Sequence, residues 1–253
     1  MADPDVSRPP RILITNDDGI DSEGLHHLAR AARTLSPDPV VATPREEASG
    51  SSAALTAVED RGRILVECRR LPGLDDLTAH AVTAAPAFIA MLAGRGAFGP
   101  APDIVLSGIN RGPNTGHAVL HSGTVGAALT AALDGCRTMA LSLDVGDPWH
   151  WETGAAITAR LLPLLATTGP GAVLNANIPN LPLEQVRGIR LATLASFGTV
   201  QTTVTERGRG YVAVTLAETD VEPGPNTDAA LLADGWTTLS LLKAPSTVSR
   251  PTA

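Results

Sequence analysis

Residues 11–19 read Arg-Ile-Leu-Ile-Thr-Asn-Asp-Asp-Gly, an apolar run that ends in a cluster of polar residues. The apolar part, residues 11–15, predicts a short buried strand. A helix capped by Asp21 or Ser22 follows, and residues 39–43 form the next predicted strand. This β-α-β order within about thirty residues predicts a parallel sheet with right-handed crossovers.

The alternation of strands and helices continues through the middle of the chain. Further strands are predicted at residues 64–68, 80–83, 103–107, 138–143 and 172–178. Helices are predicted at residues 85–93, 122–133 and 151–166. Alternation of this kind indicates an α/β fold with a mostly parallel sheet.

The pattern changes beyond about residue 182, where strands are predicted at residues 186–194, 199–205, 211–216 and 237–242. No strong helix is expected between the last three of them. The predicted organisation is therefore a disordered lead-in, a catalytic α/β domain, a β-rich C-terminal extension that serves in oligomerisation, and a polar tail. Their bounds are residues 1–10, 11–183, 184–245 and 246–253.

Composition excludes several classes of function. The 253-residue chain carries a formal net charge of −7, which argues against binding a nucleic-acid polymer. No apolar stretch is long enough to span a bilayer, and the amino terminus lacks the apolar core of a signal peptide. Cys68 and Cys136 have no metal-ligand spacing and are expected to be reduced, buried thiols. We therefore expect a cytoplasmic protein.

Two adjacent acids, Asp17 and Asp18, directly follow the first predicted strand. In open α/β sheets, ligands bind at the carboxyl ends of the strands. Adjacent carboxylates repel unless solvent or a cation lies between them, and hard cations prefer oxygen ligands. The alternative is an ordinary turn with a helix cap, because Asn, Asp and Gly are favoured there.

Two further segments follow predicted strands. Residues 44–56 are serine-rich and contain Ser49, but by themselves they indicate only a surface loop. Residues 107–116 begin with Ser107 and Gly108, and glycine lets backbone amides approach an anion. Arg111 in this segment can bind a phosphate through a bidentate fork. Its alternative role is to pair with a carboxylate and shape the loop.

A predicted helix begins at Ser122, Gly123 and Thr124. A helix amino terminus offers free N–H groups and a positive dipole end, so a phosphate binds there readily. Other phosphate and nucleophile motifs are absent from the sequence: it has no GxGxxG, no GxxxxGK[ST] and no GxSxG. The two acids are also adjacent, whereas aspartyl-phosphate phosphatases of the haloacid dehalogenase type need one residue between them.

Three motifs together closely resemble the SurE family (survival protein E) in residue identity, order and spacing. They are Thr-Asn-Asp-Asp-Gly-Ile at 15–20, Ser-Gly-Ile-Asn-Arg-Gly-Pro-Asn at 107–114 and His-Ser-Gly-Thr-Val at 121–125. The likeness spans residues 11–242, with weaker echoes at residues 174–179, at Thr227-Asp228 and at Gly235-Trp236. It implies a Rossmann-like three-layer α/β/α fold and a divalent-metal phosphatase acting on nucleoside 5′- and 3′-monophosphates. It also implies dimers or tetramers joined through C-terminal elements.

The resemblance assigns one Mg²⁺ or Mn²⁺ per subunit to four ligands: Asp17, Asp18, Ser49 and Asn110. Catalysis is assigned to Asp17, Asn114 and Ser122, with Asp17 orienting or deprotonating the attacking water. A phosphoaspartate route through Asp17 is the alternative. The residues expected to contact the substrate phosphate are Asn16, Ser107, Gly108, Arg111, Asn114, Ser122, Gly123 and Thr124.

The sequence departs from the family pattern at three places. Ser52-Ala53-Ala54 replaces a usual Gly-His-Ser, Phe88 replaces an expected acid, and residues 197–211 are poor in the usual aromatic and basic residues. We expect Phe88 to fill core space, with contact to the substrate as the alternative. These departures leave two other functions open. They are a specialised biosynthetic phosphatase for one modified nucleotide or sugar phosphate, and a non-catalytic nucleotide- or metal-binding homologue.

Overall fold

The structure is a computed structural model that describes residues 8–169, 171–196, 200–218 and 224–245. Short apolar runs form its strands, and segments rich in Ala and Leu form its helices. In chain order, these elements are β1 (Ile12–Thr15), α1 (Glu23–Ala32), β2 (Val40–Pro44), β3 (Glu59–Asp60), β4 (Arg63–Ile64), β5 (Val66–Leu71), β6 (Leu74–Val82), α2 (Pro86–Gly94), β7 (Ile104–Arg111), α3 (Gly123–Leu133), β8 (Arg137–Leu143), α4 (Trp151–Leu161), β9 (Ala172–Ile178), β10 (Ile189–Leu191), β11 (Val200–Gly208), β12 (Tyr211–Glu218), α5 (Asp228–Ala233) and β13 (Thr237–Lys243).

One nine-stranded sheet organises the fold, in the order β10-β13-β9-β8-β7-β1-β2-β6-β5. The six strands from β9 to β6 in this order are parallel to their neighbours. The antiparallel pairs flank this parallel core: β5 pairs with β6 and β13 pairs with β9 in that sense, and the edge strand β10 is parallel to β13. From β1 the chain first runs outward through β2 to β6, and then returns to β7 on the other side of β1. The sheet therefore has a topological switch point between β1 and β7.

Helices cover both faces of the sheet, as the α/β prediction requires. Helices α1 and α4 pack together, with Leu25, Leu28 and Ile157 in the larger hydrophobic cluster. On the other face α2 packs against α3, whose buried residues include Ala127 and Ala131. The central strands are buried on both faces, so their sequences are continuous apolar runs rather than alternating ones. The architecture is a three-layer α/β/α fold.

The C-terminal region differs from the prediction in two respects. A short helix, α5, lies between β12 and β13, where no strong helix was expected. Strands β10 and β13 belong to the large sheet, whereas β11 and β12 form a separate antiparallel hairpin. Burial against α5 and β9 decides this, which a local strand pattern cannot reveal. The predicted lead-in and tail fall largely outside the described residues, although Arg8 contacts Asp103 through a bidentate ion pair.

Two sequence expectations about single side chains have different outcomes. Phe88, in the first turn of α2, packs against the core cluster, as expected of a space-filling residue. Cys136 is buried but Cys68 is exposed, so the expectation of two buried thiols was wrong for Cys68. Cys68 lies on the antiparallel edge strand β5, most of whose side chains are exposed. No helix within the described ranges is long and apolar enough to cross a membrane.

Candidate active site

The candidate site lies at the switch point of the sheet. Asp17 and Asp18 follow the carboxyl end of β1, and Asn110 lies near the carboxyl end of the adjacent parallel strand β7. Gly24 allows this approach, because a Cβ on it would collide with the backbone oxygen of Ile109. Close packing between the start of α1 and the end of β7 therefore brings the two motifs together.

Asp17 lies beneath the amino terminus of α3 and is only 4% exposed. Burial raises the pKa of Asp17, while the Thr124 hydroxyl and the backbone amides of Gly123 and Thr124 favour its charged form. The Thr124 hydroxyl donates directly to Asp17 Oδ1. The positive end of the helix thus faces a carboxylate of the protein itself.

Asp18 is less buried and faces a cleft of about 660 Å³. Burial, followed by the charge of Asp17, raises the pKa of Asp18 from 3.8 to about 6. The backbone N–H of Arg111 donates to Asp18 Oδ2 at 3.3 Å. Two neighbouring acids with raised pKa values are suited to bind a cation. A positive charge would stabilise the ionised form of both carboxylates and offset the repulsion between them.

The serine-rich loop closes over the acidic pair. The backbone N–H of Ala48 donates to the backbone oxygen of Asp17 at 2.7 Å, which ties the two loops together. Ser49 lines the same cleft as Asp18, and its hydroxyl donates to Glu47 at 2.7 Å. The amide nitrogen of Asn110 donates to the oxygen of Gly112, so Oδ1 is the atom of Asn110 left for a cation.

Three residues expected to contact phosphate occupy other positions. Asn16 is 0% exposed, and its amide bonds to Gly19, Ser22 and Thr43. Ser107 is also fully buried, within β7 rather than in a loop. Gly108 has φ of +133° and packs so tightly on β8 that a Cβ would meet the oxygen of Leu141. Strand β7 extends to Arg111 and places Ser107 and Gly108 within the sheet, whereas Asn16 is held in the turn after β1. Their contact with a phosphate stays a prediction.

Asn114 is positioned by polar side chains from the next strands. Its backbone N–H donates to Asn177 Oδ1 at 2.7 Å, and its side-chain amide donates to Ser142 at 2.8 Å. The amide groups of Asn175 and Asn177 both donate to the Asn114 oxygen. The alternating asparagines in the apolar strand β9 were the sequence signal for this support, because alternate residues share one face.

Ser122 caps α3, since its hydroxyl oxygen accepts from the Val125 N–H at 3.1 Å. Its hydroxyl hydrogen can still be donated to a substrate oxygen. Gly123 and Thr124 lie at the same helix start, but their polar groups are directed to Asp17. Gly123 and Thr124 therefore hold Asp17 from the helix start, whereas Ser122 caps the same helix.

Arg111 does not take its alternative role, pairing with a carboxylate, among the described residues, and its predicted contact with a phosphate stays a prediction. Among the described residues, no carboxylate forms an ion pair with its side chain. Its guanidinium carbon instead lies 5.0 Å from the ring centroid of Trp149. Arg111 lines the cleft with Asp18 and Ser49.

Asp228 supports the site from the C-terminal region, and the prediction did not include it. This fully buried residue at the start of α5 accepts from the backbone N–H groups of Gly116 and Ala195, at 2.8 and 2.9 Å. Asp228 thereby links the loop after β7 to α5 and to the segment after β10. The sequence signal was Thr227, which caps α5 through its hydroxyl.

Gly123→Ala is expected to lower kcat/KM for a phosphomonoester by roughly 10²-fold, because small misplacements of a catalytic group are costly. An added Cβ would lie 2.6 Å from Ser51 Oγ and 2.7 Å from Asp17 Oδ2, so the carboxylate must shift. The matched control is Gly169→Ala, where a Cβ meets no atom within 4 Å. Steady-state kinetics of both variants provide the test. Unchanged activity in Gly123→Ala would contradict this role of the helix start.

Comparison with known proteins agrees with the resemblance in the motifs. Residues 12–200 match the family described as Survival protein SurE. The 5′/3′-nucleotidase SurE of Edwardsiella ictaluri (strain 93-146) is 36% identical over 238 residues, covering 92% of this chain and 89% of the relative. The 5′/3′-nucleotidase SurE of Serratia proteamaculans (strain 568) is 37% identical over 238 residues, covering 92% and 90%.

A solved structure extends the likeness to the fold. The crystal structure of the SurE protein from Aquifex aeolicus superimposes with a TM-score of 0.76 at 27% sequence identity, covering 94% of this chain and 95% of that one. The family match, the relatives and the shared architecture agree. This chain belongs to the SurE family.

Proposed function

We propose that this protein is a divalent-metal-dependent phosphomonoesterase that hydrolyses nucleoside 5′- and 3′-monophosphates or related small phosphates. The observation that carries the proposal is the acidic pair Asp17-Asp18 at the switch point, packed against the amino terminus of α3. The nucleotidase names of its relatives support the choice of substrate class.

The donor set fits a hard divalent cation, and we propose one Mg²⁺ or Mn²⁺ per subunit. Asp17, Asp18, Ser49 and Asn110 offer only oxygen atoms, which such cations prefer. Among the described residues, no group of three or more His, Cys, Asp or Glu is placed to bind a metal, so hydroxyl and amide oxygens complete the set. When bound, the ion supplies positive charge to the phosphoryl oxygens and lowers the pKa of water.

Asp17 is proposed to orient the attacking water or accept its proton. The Thr124 hydroxyl holds Oδ1, and Oδ2 lies beside Gly123 at the start of α3. A covalent phosphoaspartate on the same carboxylate is the alternative, in which water would release the phosphate in a second step.

The substrate phosphate is proposed to lie between Asn114 and the start of α3. Asn114 is rigidly held by Ser142 and Asn177, so its position requires no reorganisation during the reaction. The hydroxyl hydrogen of Ser122 and the N–H edge of the Arg111 guanidinium are the other proposed donors. Together these groups would stabilise the charge that moves onto the leaving oxygen.

A screen of phosphomonoesters in the presence of Mn²⁺ tests the proposal. We expect several nucleoside 5′- and 3′-monophosphates to be turned over with higher kcat/KM than sugar phosphates. Turnover of a single modified nucleotide or sugar phosphate would indicate a specialised biosynthetic enzyme instead. Binding of nucleotides without hydrolysis of any ester would contradict a phosphatase.

We also propose a homodimer or homotetramer joined through C-terminal elements. Its support is the hairpin of β11 and β12, which lies outside the large sheet and exposes Val204, Val212 and Val214. An apolar hairpin of this kind is stabilised when a second chain covers it. A cytoplasmic location remains part of the proposal.

A further inference from the structure

A three-layer stack of flat groups forms one wall of the cleft beside Asp18. Trp149 stacks on Trp151 with ring centroids 5.1 Å apart and 11° between the ring planes. The Arg111 guanidinium lies over Trp149 at 5.0 Å. All three residues line the cleft that also contains Asp18 and Ser49.

The stack is anchored at its inner end. Trp151 is 7% exposed and begins α4 within the larger core cluster. Its ring packs so closely on α1 that a Cβ on Gly24 would lie 2.9 Å from Trp151 Cζ3. Trp149 is half-buried, and Arg111 at the outer end is exposed. The two tryptophan rings thus support the Arg111 guanidinium at the edge of the cleft.

The Arg111 guanidinium lies over the Trp149 ring and forms no ion pair among the described residues. Its contact is with the Trp149 ring, and within the described part of the chain no carboxylate lies at ion-pair distance from it. This is notable because Glu46 and Glu47 line the same cleft. A guanidinium offers two different surfaces, an edge of N–H donors and a planar face. With its guanidinium carbon 5.0 Å from the Trp149 ring centroid, the exposed Arg111 side chain also lines the cleft, where a planar ligand can reach it.

The geometry points to a nucleobase subsite: the base of a nucleoside monophosphate stacks on the outer face of Arg111, which Trp149 and Trp151 hold in place. This inference rests on the proposed function, since it concerns the leaving group of the same reaction. Arginine planes and aromatic rings stack on every base, because each base has a π-face. The subsite should therefore favour base-bearing phosphates over base-free ones, with little preference among bases.

The test compares a nucleoside monophosphate with ribose 5-phosphate, which carries the same sugar phosphate without the base. In Trp149→Leu, the ratio of kcat/KM for AMP to that for ribose 5-phosphate should fall by roughly 5- to 100-fold. Trp149→Phe keeps a flat ring and should restore most of the ratio. Trp236→Leu is the matched control, because Arg187 and Arg190 lie over that ring at 4.9 and 4.6 Å but outside this cleft.

An equal loss for both substrates would overturn the inference, because Trp149 would then serve only the phosphate contact of Arg111. Full retention of both kcat/KM values in Trp149→Leu would overturn it as well. Calorimetric titration with adenosine gives a readout that needs no catalysis: the wild type should bind it, and Trp149→Leu should bind it several-fold more weakly. If neither ester is hydrolysed by the wild type, the proposed function fails while this titration still tests the subsite. Equal adenosine affinities would rule the subsite out.

Discussion

Chelation of divalent cations with EDTA is expected to abolish hydrolysis of an aryl phosphate by this protein, and added Mn²⁺ or Mg²⁺ is expected to restore it. The loss should be at least about 10³-fold, because a metal supplies several kcal/mol of transition-state stabilisation. The reason lies in the acidic pair. Burial and the neighbouring charge raise the pKa of Asp18 to about 6, so two uncompensated carboxylates are unfavourable at neutral pH.

The same reasoning gives a readout that does not depend on turnover. Mn²⁺ should raise the melting temperature of the wild-type protein, because the cation binds the folded site and not the unfolded chain. Asp18→Asn should show a much smaller rise. Activity that persists undiminished in excess EDTA would remove the metal from the reaction altogether.

Asp17→Asn is expected to lower kcat by roughly 10²- to 10⁴-fold, the range of a positioned acid–base group. The amide keeps the size of the carboxylate and can still accept from the Thr124 hydroxyl, so the fold should be retained. It removes the proton acceptor and the charge expected to hold the cation. The rate should be measured at saturating Mn²⁺, which separates weaker metal binding from slower chemistry.

The change in melting temperature caused by Asp17→Asn also has a predicted direction. Folding raises the pKa of Asp17, so the carboxylate favours folding less as the pH rises above its unfolded value of 3.8. Without metal at neutral pH, a neutral Asn should therefore melt at the same temperature as the wild type or higher. Asp38→Asn is a suitable control, because Asp38 is an exposed aspartate that precedes β2 at the opposite end of the sheet. A wild-type rate in Asp17→Asn would contradict both the base and the phosphoaspartate routes.

The large-scale fold could be predicted because its signals are local. Arg11–Thr15 and the helix after it carry apolar residues at strand and helix spacing, and two such units in succession favour a parallel sheet. Helix α3 also begins where predicted, since Ser122 caps it. The position of Asp17 and Asp18 after β1 follows from the strand end. Local propensity and hydrophobic spacing are sufficient for these features.

The roles of individual polar residues depended on contacts between distant parts of the chain. Asn16 and Ser107 are polar residues within the motifs, yet the fold buries both completely. Thr124, expected at the phosphate, donates instead to Asp17, which is 107 residues away in the chain. Side-chain chemistry alone does not distinguish a residue that supports a carboxylate from one that binds a ligand.

The sequence by itself therefore determined the α/β architecture, the family motifs and the acidic pair at a strand end. The tertiary structure decided that Asp228 at the start of α5 accepts from the loop after β7, and that β13 joins the main sheet. It also decided that Arg111 lies over the Trp149 ring in the cleft. The physical reason is that periodicity and capping act within a few residues, whereas burial and long-range hydrogen bonds depend on which segments pack together. Only packing brings Trp149 against Arg111, which lies at the end of β7, far earlier in the chain.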